Sequence, residues 1–173
     1  MEGSQSCCKS LKTPKMNPTM TDDLRILESL RTAFPDCAKP DHFTNYTHCE
    51  ECLSHDEFLR SGDRESLRLE EVNNPGWDPL CFASPEGFCY YLPALVRFSL
   101  MPSPNVAWHF PQLLFHLTHQ YERNRHLKHA NVEQRQSIVV FLRHIASTKK
   151  SIIESYLCTK DLELAIRLWS DGS

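Results

Sequence analysis

Apolar side chains recur along this chain at helical spacing, in runs separated by clusters of Pro, Gly, Asn and Ser. Leu24, Leu27, Leu30 and Phe34 form a first stripe, which predicts a helix capped at Thr21 and stopped by Pro35. Thr47 followed by Glu50 has the spacing of a capping box. It predicts a second helix with Thr47 as N-cap, carrying Cys52, Leu53, Phe58 and Leu59 up to the breaker Ser61-Gly62-Asp63. Ser66 to Val72 is long enough for one more helical turn before the turn signal Asn73-Asn74-Pro75-Gly76. Trp77 to Phe82 is short, apolar and broken by Pro79, so it reads as a buried connection or one very short strand.

Ser84-Pro85-Glu86 then combines an N-cap, a proline at the first helical position and an acid beside the positive helix end. The stripe behind it, Phe88, Tyr91, Leu92, Leu95, Val96 and Leu100, marks the central core helix. Pro93 inside that stripe predicts a kink or a split, because its ring removes a backbone hydrogen bond. Met101-Pro102-Ser103-Pro104 ends the run. Val106 to Tyr121 predicts a helix with Pro111 near its start, and Arg123 to Ala130 reads as a polar, basic stretch. Asn131 with Gln134 is a second capping pattern, ahead of Ile138, Phe141, Leu142 and Ile145. A last helix behind Thr159 carries Leu162, Ala165, Ile166 and Trp169. Strands do not alternate with helices and nothing repeats. The expected fold is all-α: a single-domain, irregular bundle of about five to seven helices over residues 21–173.

Composition narrows the class further. The chain has 173 residues, 40% hydrophobic and 24% charged, which is enough for one core and too little for a second full domain. Residues 1–20 are rich in Ser, Thr, Pro and Lys with few large apolar side chains, so they are expected to form a disordered tail. A net charge of −3 gives no global attraction to nucleic acid, and no apolar run has the length that spans a bilayer. The N-terminus shows no signal segment, so the eight cysteines are expected as reduced thiols of a cytoplasmic protein. Charge is unevenly spread. Residues 36–86 hold twelve acids against four bases, whereas 119–150 hold seven bases against two acids. Two such arms attract each other within one fold, or the basic arm meets an acidic partner.

The dense chemical cluster is Tyr46-Thr47-His48-Cys49-Glu50-Glu51-Cys52-Leu53-Ser54-His55-Asp56. At a helix start, amide donors and the helix dipole favour thiolate over thiol, which suits a metal ligand or a redox pair. A zinc site there would draw on Cys49, Cys52, His48, His42 and His55, with Cys81 or Cys89 as a further sulfur. One straight helix cannot close the tetrahedron alone. The other readings are a redox pair and small residues packed at a helix start. His116, His119 and Glu122 step by three, a weaker metal spacing that also suits a solvated histidine surface. Neither a Gly-x-Ser-x-Gly elbow nor a phosphate-binding loop is present, so no catalytic or cofactor-binding residue is assigned.

Several pieces together resemble a known family. They are Ala33-Phe34-Pro35-Asp36, His42 through Cys52, Ser84-Pro85-Glu86-Gly87-Phe88 with Tyr90-Tyr91-Leu92-Pro93-Ala94, and Gln134 with Ile138 and Phe141-Leu142. This set is similar to a family of small bacterial proteins known only as a domain of unknown function. The resemblance spans most of Leu24 to Ile145 and implies a bacterial, cytoplasmic, helical protein without supplying site residues. The function expected from the sequence is a non-enzymatic factor that binds or regulates an unidentified protein partner, toxin neutralisation included. The alternative is a metal- or thiol-dependent enzyme centred on Cys49 and Cys52, with Glu50 or Asp56 to carry a proton.

Deleting the residues before Met20 is expected to leave the melting temperature unchanged within ~2 °C, the shift that a fraction of a kcal/mol produces in a domain of this size. A larger drop in a thermal scan would show that the tail packs on the domain.

Overall fold

The apolar stripes become the walls of one core. The computed structural model describes residues 18–34, 37–103 and 105–171, with side chains from residue 22 onward. Their helices are α1 (Pro18–Ala33), α2 (Glu50–Ser61), α3 (Leu69–Val72), α4 (Pro85–Leu100), α5 (Phe110–Thr118), α6 (Arg125–His129), α7 (Val132–Thr148), α8 (Lys150–Ser155) and α9 (Thr159–Asp171). Two 3-10 turns, Pro79–Cys81 and Tyr121–Arg123, complete the order. The described residues contain no strand, and none of their helices is long and apolar enough to cross a membrane.

Helix α4 is the axis of the molecule. From Gly87 to Leu100 every residue except Arg97 is buried, and the helix packs against α1, α5 and α6. Pro93 does not divide it. Helix α7 packs on α1 and α9, and α5 closes the other side of α9. Asp23 fastens α1 to α7, since its carboxylate meets His144 at 2.6 Å and Lys149 at 3.0 Å. The Asn131/Gln134 capping box forms in both directions at the start of α7, with bonds of 2.8 and 3.0 Å.

Several boundaries depart from the sequence reading. Helix α1 begins at Pro18, inside the stretch expected as tail, because proline's fixed φ suits a first turn where its missing N–H costs nothing. Residues 1–17 of the tail expected over 1–20, and the expected stops at Pro35 and Pro104, lie outside the described residues. Trp77 to Phe82 folds as a 3-10 turn and not as a strand: Asp78 caps the turn by accepting the Leu80 amide at 3.0 Å. The helix expected over Val106 to Tyr121 is shorter. It ends at Thr118, and Gln120 and Tyr121 take left-handed backbone with φ of 64° and 50°.

Asn124 accounts for that ending. Its Nδ2 donates to the carbonyls of His116 and His119, while its Oδ1 accepts the amides of His126 and Leu127. One buried side chain therefore closes α5 and opens α6, within the stretch read as polar and basic. With α6 and α8 the described residues hold nine helices, above the five to seven expected. Both added helices are too short to show a period.

Leu95, fully buried in the middle of α4, tests the assignment of helix faces. Leu95→Ala is expected to cost about 2–5 kcal/mol in urea unfolding. A loss below roughly 0.5 kcal/mol, the range of exposed positions, would contradict the packing described.

Candidate functional site

The approach to α2 is built around Asp56, which is completely buried. Its Oδ1 accepts the amides of Phe43 (2.6 Å) and Thr44 (3.1 Å), and its Oδ2 meets His42 Nδ1 at 2.7 Å. Burial works against this charge, but the bonds from His42, Thr44 and Phe43 outweigh it and hold the carboxyl below its ordinary range. The Thr44 hydroxyl donates to the Cys52 carbonyl at 2.8 Å, which ties the loop to the first turn of α2. On the other side the Phe43 ring packs against Tyr90 and Tyr91, and its carbonyl accepts the Ser84 amide at 2.6 Å. Gly87 permits this approach, because a Cβ there would lie 2.9 Å from the Phe43 ring and 3.2 Å from its carbonyl oxygen. The segment before the cluster is thus clamped between α2 and α4.

The clamp presents Asn45 to His48 as a turn closed by His48 N–H donating to the Asn45 carbonyl at 3.0 Å. The Thr47 hydroxyl is spent inside it, donating to Asn45 Oδ1 at 3.1 Å. Thr47 is therefore not the N-cap. Cys49 takes that place in extended backbone (φ −162°, ψ 169°), and its Sγ accepts the Cys52 amide at 3.5 Å. His48 Nδ1 lies 3.7 Å from Cys52 Sγ. Donor atoms of His48, Cys49 and Cys52 all fall within 4.8 Å of one another.

The two thiols have unlike settings. Cys49 is exposed, and bonds from the Cys52 amide, the Cys52 thiol and His48 lower its pKa. Cys52 is buried, and burial together with its neighbour Cys49 raises the pKa of its thiol.

His42 and His55 do not join this group. His42 is committed to Asp56 and stacks on Tyr46 with ring centroids 3.8 Å apart. His55 is buried under Trp77 and Phe82, with centroid distances of 4.7 and 4.8 Å, and its Nε2 lies 3.8 Å from Glu51. Cys89 lies in the core beside Cys37; hydrogen bonding to Cys37 and burial push its thiol far up. Cys81 belongs to a second cluster, where donor atoms of Asp78, Cys81 and His116 also fall within 4.8 Å of one another. His116 thus has Asp78 as its partner, not His119 or Glu122, through a 2.8 Å bond between residues 38 apart in sequence. Burial and the Asp78 carboxylate push the Cys81 thiol up to about 11.

Residues 23–171 match a family described only as a family of unknown function, DUF6714. The chain belongs to this family. The DUF6714 match starts at Asp23, the acid that fastens α1 to α7, and reaches the end of α9, so both clusters lie within it. No curated protein and no solved structure matches the chain.

Asp56→Ala leaves two buried amides without an acceptor and is expected to cost on the order of 1–3 kcal/mol. Because the folded carboxyl is held below its ordinary value, its charge contributes fully above the unfolded Asp pKa of roughly 3.9. That contribution is lost as pH falls through the folded value. Urea midpoints should therefore show a constant gap between natural chain and variant from about pH 5 to 7 and a narrowing gap below about pH 4. A gap that ignores pH would show that the charge contributes nothing.

Proposed function

We propose that the chain carries out thiol–disulfide exchange through Cys49 and Cys52. The supporting observation is the pairing of an exposed thiol at a helix N-cap with a buried thiol one turn on, within 4.8 Å. Cys49 thiolate attacks one sulfur of a substrate disulfide, forms a mixed disulfide and expels the other sulfur as thiolate, which takes a proton from water. Cys52 then passes its proton to His48 Nδ1, 3.7 Å away, and attacks the Cys49 sulfur. The second substrate sulfur leaves with the proton from His48. Two electrons pass to the substrate, and the chain ends with a Cys49–Cys52 disulfide that a cellular dithiol reduces by the reverse exchange.

This reading takes the thiol branch of the enzyme alternative. It keeps a place for a protein partner as well, because Cys49 stands on the surface where a disulfide on another protein can reach it. In a reducing cytoplasm the resting form would be the dithiol. A second reading rests on the third donor: His48 Nδ1 with the two sulfurs gives three zinc ligands and leaves the fourth to water.

One set of measurements separates the two. In glutathione buffers poised between about −200 and −300 mV, the pair is expected to oxidise and reduce reversibly, read by alkylation and mass spectrometry. Cys49 should be alkylated faster than Cys52, and Cys49→Ser should abolish reduction of a model disulfide. Stoichiometric zinc in protein purified without added metal or chelator, lost in Cys49→Ser/Cys52→Ser, would replace exchange by metal binding. Absence of both exchange and zinc would remove both readings.

A further inference from the structure

The second cluster is assembled by a different part of the fold. Asp78 uses Oδ1 to cap the 3-10 turn, which leaves Oδ2 to meet His116 Nε2 at 2.8 Å. The turn has three residues per revolution, so Cys81 returns over Asp78, and its amide donates to the Asp78 carbonyl at 3.2 Å. Asp78 and His116 are buried while Cys81 faces out. A cavity of about 330 Å³ opens on Cys81 and His116, with His119, Asn124, Arg125 and His126 in its wall. His126 is buried and stacked on Phe88, and its Nδ1 has no hydrogen-bond partner. The cavity lining therefore combines sulfur and imidazole, and the Asp78 carboxylate lies 2.8 Å from one of those imidazoles.

We infer that Asp78, Cys81 and His116 bind one divalent transition-metal ion of the zinc class, with the fourth position open to the cavity. The donor set decides the class of ion: thiolate with imidazole suits zinc and its neighbours and disfavours calcium and magnesium, which take oxygen. Zinc bonds of roughly 2.0–2.3 Å set donor atoms on the order of 3.5 Å apart, so the His116–Asp78 pair at 2.8 Å opens slightly while the Cys81 sulfur, within 4.8 Å of both, closes by up to about an ångström. Loading releases the Cys81 thiol proton to water. The hydrogen bridging His116 Nε2 and Asp78 moves to Nδ1 through solvent, so that Nε2 faces the ion. Three protein ligands with an open position have the composition of a reactive metal centre, whereas a purely structural site is closed by four. The imidazoles of His119 and His126 stand in the wall beside that open position. A structural role explains the Asp78–His116 bond, but it does not explain why a thiol and a polar cavity meet it. The inference is independent of thiol exchange at Cys49 and Cys52.

The test uses the full chain with Cys49→Ser/Cys52→Ser, which removes the first cluster, stripped with chelator and titrated with Co²⁺. The expected result is one Co²⁺ per chain with a thiolate-to-cobalt charge-transfer absorption that Zn²⁺ abolishes by displacement. Adding Cys81→Ser should remove the absorption and weaken binding by more than the roughly 10–100-fold that a supporting residue costs. Because Cys81 is exposed, helicity and melting temperature of the metal-free protein should not change, which separates loss of a ligand from loss of the fold. No cobalt absorption, or an absorption that survives Cys81→Ser, would overturn the assignment.

Discussion

A completely buried carboxylate is tolerated only if hydrogen bonds surround it, and that requirement at Asp56 organises the approach to the first cluster. Its Oδ1 is satisfied by two amides from outside α2, so Phe43 and Thr44 are drawn against the helix. Phe43 cannot take that place without entering the core beside Tyr90 and Tyr91, and α4 admits it because position 87 has no side chain. His42 is pulled to the same carboxylate and is thereby withheld from the sulfurs. What remains of the segment is a tight turn whose end places Cys49, not Thr47, at the head of α2.

Both clusters use one local device. A side chain just ahead of a short helical element satisfies an amide of its first turn, and the next chemical group is set down one revolution later. In the first, Cys49 Sγ takes the Cys52 amide; in the second, Asp78 Oδ1 takes the Leu80 amide and Cys81 follows. Each leaves an exposed sulfur beside a buried donor, Cys52 in the first and Asp78 and His116 in the second. They differ in what completes them. His48 belongs to the same turn as its cysteines, while His116 is delivered by α5, whose end is held by Asn124. The second cluster therefore depends on how α4, α5 and α6 pack, and the first depends mostly on one loop.

The uneven charge along the chain has a modest structural outcome. The acidic and basic arms meet where Arg125 donates to the Cys81 carbonyl at 2.9 Å and where Glu86 and His129 lie 3.7 Å apart, exposed contacts of the kind that contribute little. Other ties pair groups far apart in sequence: Asp23 with part-buried His144 and Lys149, and buried Asp78 with buried His116.

Much of the fold was legible in the sequence because its causes are local. Stripes such as Leu92, Leu95 and Phe141, Leu142 become buried faces since helical spacing alone puts them on one side, and the caps at Ser84 and Asn131 form as their spacing implies. The closeness of Cys49 to Cys52 follows in the same way from three residues of helix. Thr47 was misjudged as a cap because Asn45 competes for its hydroxyl within a turn that no periodicity reports. Helices α6 and α8 were missed because five or six residues show no period. The commitment of His42 to Asp56 and the burial of His55 were decided by tertiary structure, and so was the meeting of Asp78 and Cys81 with His116. Spacing along the chain determines which side chains share a turn. Only the packing of one element on another determines which distant side chains share a site, since that depends on where whole faces come to rest.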